Sequence, residues 1–214
     1  MLKYLTLAAA ILIAPSVSNA LTAMTEEGEI VILRNDKTWE YERDIKKSSI
    51  ENDGITETNK VIRKPKSATF PLKAGPTSFK VYLDPKKWKI LDKDKDEENR
   101  INLRSREGLD IYASIISESI ELSLPTLMDA VLQNAKNFTP DITVNKKEYR
   151  EVNNTKSVYL EMKANYKGSP FTYRGVYTSD KSGSVQLFVY STEKILDKNQ
   201  GLVNDLLAGI QLDK

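Results

Sequence analysis

The chain has 214 residues, 32 Lys and Arg against 30 Asp and Glu, a formal net charge of +2, and neither histidine nor cysteine. Lacking both residue types, it has no Ser-His-Asp or Cys-His nucleophile, no usual zinc or haem ligation, no iron–sulfur site and no imidazole for proton transfer near neutral pH. The near-neutral balance also argues against nucleic acid, which is bound through a concentrated basic patch.

The first residues, MLKYLTLAAAILIAPSVSNA, carry the three parts of an export signal. Lys3 and the amino terminus supply the positive start, residues 5–14 form the apolar block, and Pro15 breaks it. Ser18 and Ala20 place small side chains where a signal peptidase requires them, which predicts cleavage between Ala20 and Leu21. An apolar run of about ten residues falls short of the roughly twenty that span a bilayer, so no transmembrane anchor is expected in the mature chain. With no cysteine to acylate, a lipoprotein is excluded as well. The expected location is periplasmic or secreted, with packing rather than disulfides holding the fold.

Residues 29–34 are rich in aliphatic and β-branched side chains, Asn35, Asp36 and Lys37 form a turn, and residues 38–42 return with Trp39 and Tyr41 on one side of the pleat. This predicts a β-hairpin, marginal alone, whose Trp39 and Tyr41 are either its docking face or a partner surface. The run EGEIVILRNDKTWEYE resembles a short module that opens many bacterial exported proteins, with the pattern Asp-Gly-Thr-Trp-x-Tyr in its second half. Asp36 matches, while Lys37 stands where that module has glycine. The resemblance implies location more than activity. Residues 21–43 are thus an N-terminal hairpin module, and the polar residues 44–67 a linker, with a short strand at Val61 and Ile62 as the alternative.

Residues 68–214 alternate strand and helix signals. FKVYLDPKKWKIL gives a strand, an Asp-Pro turn and a second strand beginning at Trp88; further strands follow near Ile101 and along LDIYASIISES. Ser123 caps a helix with Pro125 in its first turn and a buried stripe of Leu124, Leu127, Met128, Val131, Ala135 and Phe138, ended by Pro140. Two strands, ITVNKKEYREVN and SVYLEMKANYKG, precede a long hairpin with Gly183 in its turn. In SVYLEMKANYKG, Val158, Leu160, Met162 and Ala164 point inward and Tyr159, Glu161 and Lys163 outward. A last amphipathic helix carries Val203, Leu206, Leu207 and Ile210 on one face. The expected fold class is α+β: an antiparallel sheet of about six strands with helices packed on it, preceded by the hairpin.

This element order, with the Pro-x-x-Trp strand end at Pro85 and Trp88, resembles the PsbP-like superfamily over residues 68–212. That superfamily includes an extrinsic protein of photosystem II, a Ran-binding nuclear import factor and bacterial periplasmic domains. The resemblance implies an αβα sandwich that acts by binding protein partners, and it transfers no site residue.

Motif by motif, chemistry is sparse. Ser191 and Lys194 have the spacing of a serine–lysine hydrolase, but such a pair needs one helical turn in a buried cleft, whereas Ser191 ends a strand. Asp92, Asp94 and Asp96 begin like a calcium loop, then Glu97 replaces the required glycine and Leu103 the bidentate glutamate. Glu118 and Glu121 suggest paired carboxylates, yet acidic residues are common at such strand and helix ends. No Gly-rich phosphate loop or dinucleotide fingerprint is present. What remains is aromatic: Phe171, Tyr173 and Tyr177 share one strand face, Arg174 points the other way, and Gly175 opens a groove between the tyrosines. The competing reading has the tyrosines cover the sheet under the last helix. The sequence thus predicts an exported, non-enzymatic protein-binding or assembly module, with no cofactor and no metal. An envelope hydrolase using carboxylates or the Ser191/Lys194 pair, or a small-ligand carrier, is the alternative.

Overall fold

A computed structural model of the chain describes residues 21–24, 30–33, 38–41, 54–91, 99–166 and 168–213. The signal segment with Ala20, the turn at Asn35, Asp36 and Lys37, and the acidic run from Asp92 to Asp96 lie outside the described residues. The chain divides into two compact units, residues 1–53 with 129–140 and residues 54–128 with 141–214.

In the first unit, β1 (Leu21–Met24), β2 (Ile30–Leu33) and β3 (Trp39–Tyr41) form an antiparallel sheet in that order. The expected hairpin is β2–β3, with Val31 opposite Tyr41 and Leu33 opposite Trp39. Strand β1, not foreseen, pairs along the other side of β2, with Leu21 opposite Leu33. It supplies the third strand that a small sheet needs for independent stability.

Helix α1 (Leu124–Phe138) runs across the division between the units. The Thr126 N–H donates to Ser123 Oγ at 3.2 Å, the expected cap. Leu127, Met128, Val131 and Ala135 are buried, Leu124 is half-buried, and Phe138 in the last turn stays exposed, off the predicted stripe.

The second unit is built on β4 (Val61–Ile62), β5 (Phe70–Lys73), β6 (Phe79–Leu83), β7 (Trp88–Ile90), β8 (Arg100–Ser105), β9 (Tyr112–Glu118), β10 (Thr143–Val152), β11 (Thr155–Tyr166), β12 (Ser169–Asp180), β13 (Gly183–Ser191) and β14 (Ile210–Leu212), with helices α2 (Glu193–Lys198) and α3 (Gln200–Leu207). Eight strands make one sheet in the order β4-β10-β11-β12-β13-β9-β8-β7, and three make a smaller one, β14-β6-β5. All neighbours are antiparallel except β4 and β10. The two-residue turn between β10 and β11 holds Asn153 and Asn154 at φ 48° and 68°, a conformation asparagine accepts better than other side chains. Its first residue also locks the turn in place: the Asn153 amide donates to the carbonyls of Ala208 and Ile210 at 2.8 and 2.7 Å.

The expected α+β sandwich of about six strands is overturned. The structure is mostly β, with a mixed eight-stranded sheet, and its described helices are three short ones. Strands of two or three residues, such as β4 and β14, are too short to show a period of two. Val61 and Ile62 form the strand kept as the alternative to a linker, and their flank is bound too. Thr56 N–H donates to the Lys147 carbonyl at 3.0 Å, and Glu151 N–H to the Lys60 carbonyl at 2.9 Å. The single final helix is in fact α2 and α3, broken at Asn199, and Ile210 belongs to β14.

Residues opposite one another in a ladder share a face of the sheet. On one face lie Leu103, Ala113, Ile115, Leu187, Val189, Val176 and Tyr159, buried in one cluster with Phe79, Val81 and Leu83 of the small sheet and Leu196, Val203 and Leu206 of α2 and α3. This helix-bearing face holds the core. Tyr159, expected to point outward, belongs to it.

Candidate functional site

The three candidate residues on β12 separate onto two faces. Tyr173, Gly175 and Tyr177 lie opposite Met162, Leu160 and Val158, on the face turned away from α3. There Tyr112, Tyr190 and Tyr173 stand in register on three adjacent strands and stack, with 5.7 Å between successive ring centroids and interplanar angles of 20° and 25°. The Arg104 guanidinium lies 5.3 Å from the outermost ring, that of Tyr112. Tyr173 is 6% exposed and Tyr177 2%, and burial pushes the Tyr177 hydroxyl far above its ordinary range. Phe171 is half-buried on the same face.

No groove opens at Gly175. The Tyr177 ring folds over it, so that a Cβ at this position would stand 2.7 Å from Tyr177 Cε2, 2.9 Å from its hydroxyl and 3.0 Å from Phe188 Cβ. Glycine here makes room for a neighbour on its own strand rather than for a ligand. The simpler reading fails in one respect as well, since the last helix covers the opposite face.

Arg174 is on the helix-bearing face, and there it joins a row of charges that sequence reasoning missed. Its Nε donates to Glu161 at 2.9 Å and its Nη2 to Asp197 of α2 at 2.6 Å. The Tyr159 hydroxyl donates to the same Glu161 carboxylate at 3.3 Å. Over the Tyr159 ring lies the Arg150 guanidinium, 3.6 Å from the centroid, itself bonded at 2.7 Å to Glu148, which also receives Lys60 at 2.9 Å. Beside the row, Lys163 pairs with Glu193 of α2 at 2.8 Å. The signal was available as Glu148-x-Arg150 and Tyr159-x-Glu161, two i, i+2 pairs that a strand places on one face.

The centre of the row is largely desolvated: the side chains of Glu148, Arg150, Glu161 and Arg174 are 11–16% exposed. Lys60, Lys163, Glu193 and Asp197 form an exposed rim, each near half exposure. Burial alone would raise the Glu148 pKa, but the hydrogen bonds from Lys60 and Arg150 outweigh it and hold the carboxyl below its ordinary value. Tyr159 is pushed up to about 12, first by burial and then by the Glu161 charge. For Arg174, burial opposes the charge, while Asp197 and Glu161 more than restore it.

The other candidates are dispersed. Ser191 is buried and its hydroxyl donates to the Asp110 carbonyl at 2.6 Å, whereas Lys194 lies exposed on α2. Glu118 and Glu121 are both exposed. In the first unit, the Trp39 and Tyr41 rings meet edge to face at 5.3 Å and 86°, with Trp39 53% exposed. A cavity of about 240 Å³ opens where the turn after β5 meets the ends of β8 and β9.

Comparison with solved structures settles the fold. The cyanobacterial PsbP protein of Synechocystis sp. PCC 6803 superposes with a TM-score of 0.53 at 12% identity, over 69% of this chain and 94% of that one. The fold is PsbP-like. LpqN of Mycobacterium tuberculosis, described as involved in cell envelope biogenesis, aligns over 66% of this chain and 88% of its own at 12% identity and a TM-score of 0.41. By sequence, no protein family and no curated protein matches the chain. Among the described residues no helix is long and apolar enough to cross a membrane.

Proposed function

We propose that the protein is exported to the periplasm or beyond and works there by binding a protein partner through the helix-bearing side of β10, β11 and β12. The observation that carries this reading is the row from Lys60 through Glu148, Arg150, Tyr159, Glu161 and Arg174 to Asp197. Its central side chains are held by one another before any partner arrives, which lowers the entropy lost on binding. Arginine and tyrosine are the residue types that dominate interface energetics. The exposed rim of alternating sign selects a partner of complementary pattern. The three-part N-terminus supports the location, and partner binding is the habit of the superfamily that the sequence resembles.

Affinity capture from periplasmic extract at physiological salt tests this, with the wild-type chain beside a Lys60→Glu, Lys163→Glu variant. Both lysines are on the exposed rim; with the native fold of the variant checked by circular dichroism, since Lys60 also pairs with Glu148, reversal should abolish retention of the partner. Failure of the wild-type chain to retain any protein, or retention of the same set by the variant, would refute it.

A further inference from the structure

We propose that the cavity beside β5 is a binding site for a small carboxylate with a short aliphatic chain, distinct from the charged row on β10 to β12. Its lining sorts into a polar group, Lys73, Asn99 and Ser117, and an apolar group formed by Ile101 and Ile115. Among the described residues that line it none is acidic. The Lys73 ammonium has no ion pair among the described residues. Ser117 is only 2% exposed, and its hydroxyl reaches the Asn99 carbonyl at a long 3.3 Å, which leaves it free to turn to a better acceptor. A carboxylate takes hydrogen bonds from all three groups, the one to Lys73 charge-assisted. Ile101 and Ile115 then receive the rest of the molecule.

Size and backbone agree. A volume of about 240 Å³ is below the roughly 300–1,000 Å³ of sites for drug-sized ligands, which limits the occupant to a small metabolite. Gly75 has φ +53°, the left-handed region, and a Cβ there would stand 2.2 Å from Ser117 Oγ and 3.7 Å from Asn99 Oδ1. Glycine thus satisfies the turn and keeps the serine hydroxyl uncovered.

The test is a titration of the isotopically labelled chain with 3-methylbutanoate and, separately, with its carboxamide, followed by amide proton–nitrogen correlation spectra. The carboxylate should give saturable shifts at Gly75, Asn99 and Ser117, with the carboxamide at least tenfold weaker. Because Lys73 is exposed, Lys73→Gln should fold normally; it should weaken the carboxylate at least tenfold and leave the carboxamide unchanged, in keeping with loss of a charge-assisted bond. No saturable shift up to high millimolar carboxylate would overturn the proposal. So would equal binding of the carboxamide, or an unaltered response in Lys73→Gln.

Discussion

Replacing Gly175 with alanine tests the packing of the tyrosine face at one atom. The added methyl would stand 2.7 Å from Tyr177 Cε2 and 3.0 Å from Phe188 Cβ, well inside ordinary van der Waals contact. Tyr177 is buried and fixed in a close-packed layer, so the ring has little room to withdraw. Overpacking of this kind costs about 1–3 kcal/mol. Alanine also removes glycine's extra freedom from the unfolded chain, which returns about 0.4–1 kcal/mol. The net expectation is a loss of about 1–2 kcal/mol, read as a lower urea midpoint at unchanged slope. The diagnostic part is a double-mutant cycle with Tyr177→Leu, which removes the atoms at 2.7 and 2.9 Å and leaves only the Phe188 contact. Alanine at 175 should then cost at most half as much, a coupling of at least about 0.5 kcal/mol. If Gly175→Ala is neutral in the wild-type background, or costs the same with leucine at 177, the close approach is not what keeps this position glycine.

Two further outcomes follow from the charged row and from α1. The Glu148 carboxyl is held below its ordinary value of 4.5, so it contributes stability above that pH and loses the contribution as pH falls toward its folded pKa; Glu148→Gln should flatten the acid limb of stability against pH below about 4.5, and an unchanged limb contradicts the assignment. At α1, Ser123→Ala removes the oxygen that accepts the Thr126 N–H and should cost about 0.5–2 kcal/mol, with faster hydrogen exchange confined to the first turn.

Where a signal is local and repeated, the sequence made the structure legible. In β11, Val158, Leu160, Met162 and Ala164 alternate clearly with Tyr159, Glu161 and Lys163, and Ser123 with Pro125 marked the start of α1 to the residue. Strands of two or three residues carry no period, so β4 was read first as linker and β14 as part of a helical pattern, and the fold read as more helical than it is. The site was harder. Tyr173 and Tyr177 were legible as one face, but not that α2 and α3 take the other, a tertiary choice that no spacing encodes. The charged row draws on β10, β11, β12 and α2, with Lys60 from the segment before β4; only register brings Glu148 beside Tyr159 and Glu161 beside Arg174.

The segment before the main sheet has one more consequence. Residues 56–62 bond along the outer side of β10, whose residues lie about ninety positions later in the chain. A chain synthesised from its N-terminus delivers this seal long before the strand it must cover. Until β10 arrives the segment has nothing to bind, and until the two meet β10 is an open edge able to pair with another molecule. Removing residues up to 62 would therefore take Ile55 and Ile62 out of the apolar packing and leave β10 an open edge for chain-to-chain assembly.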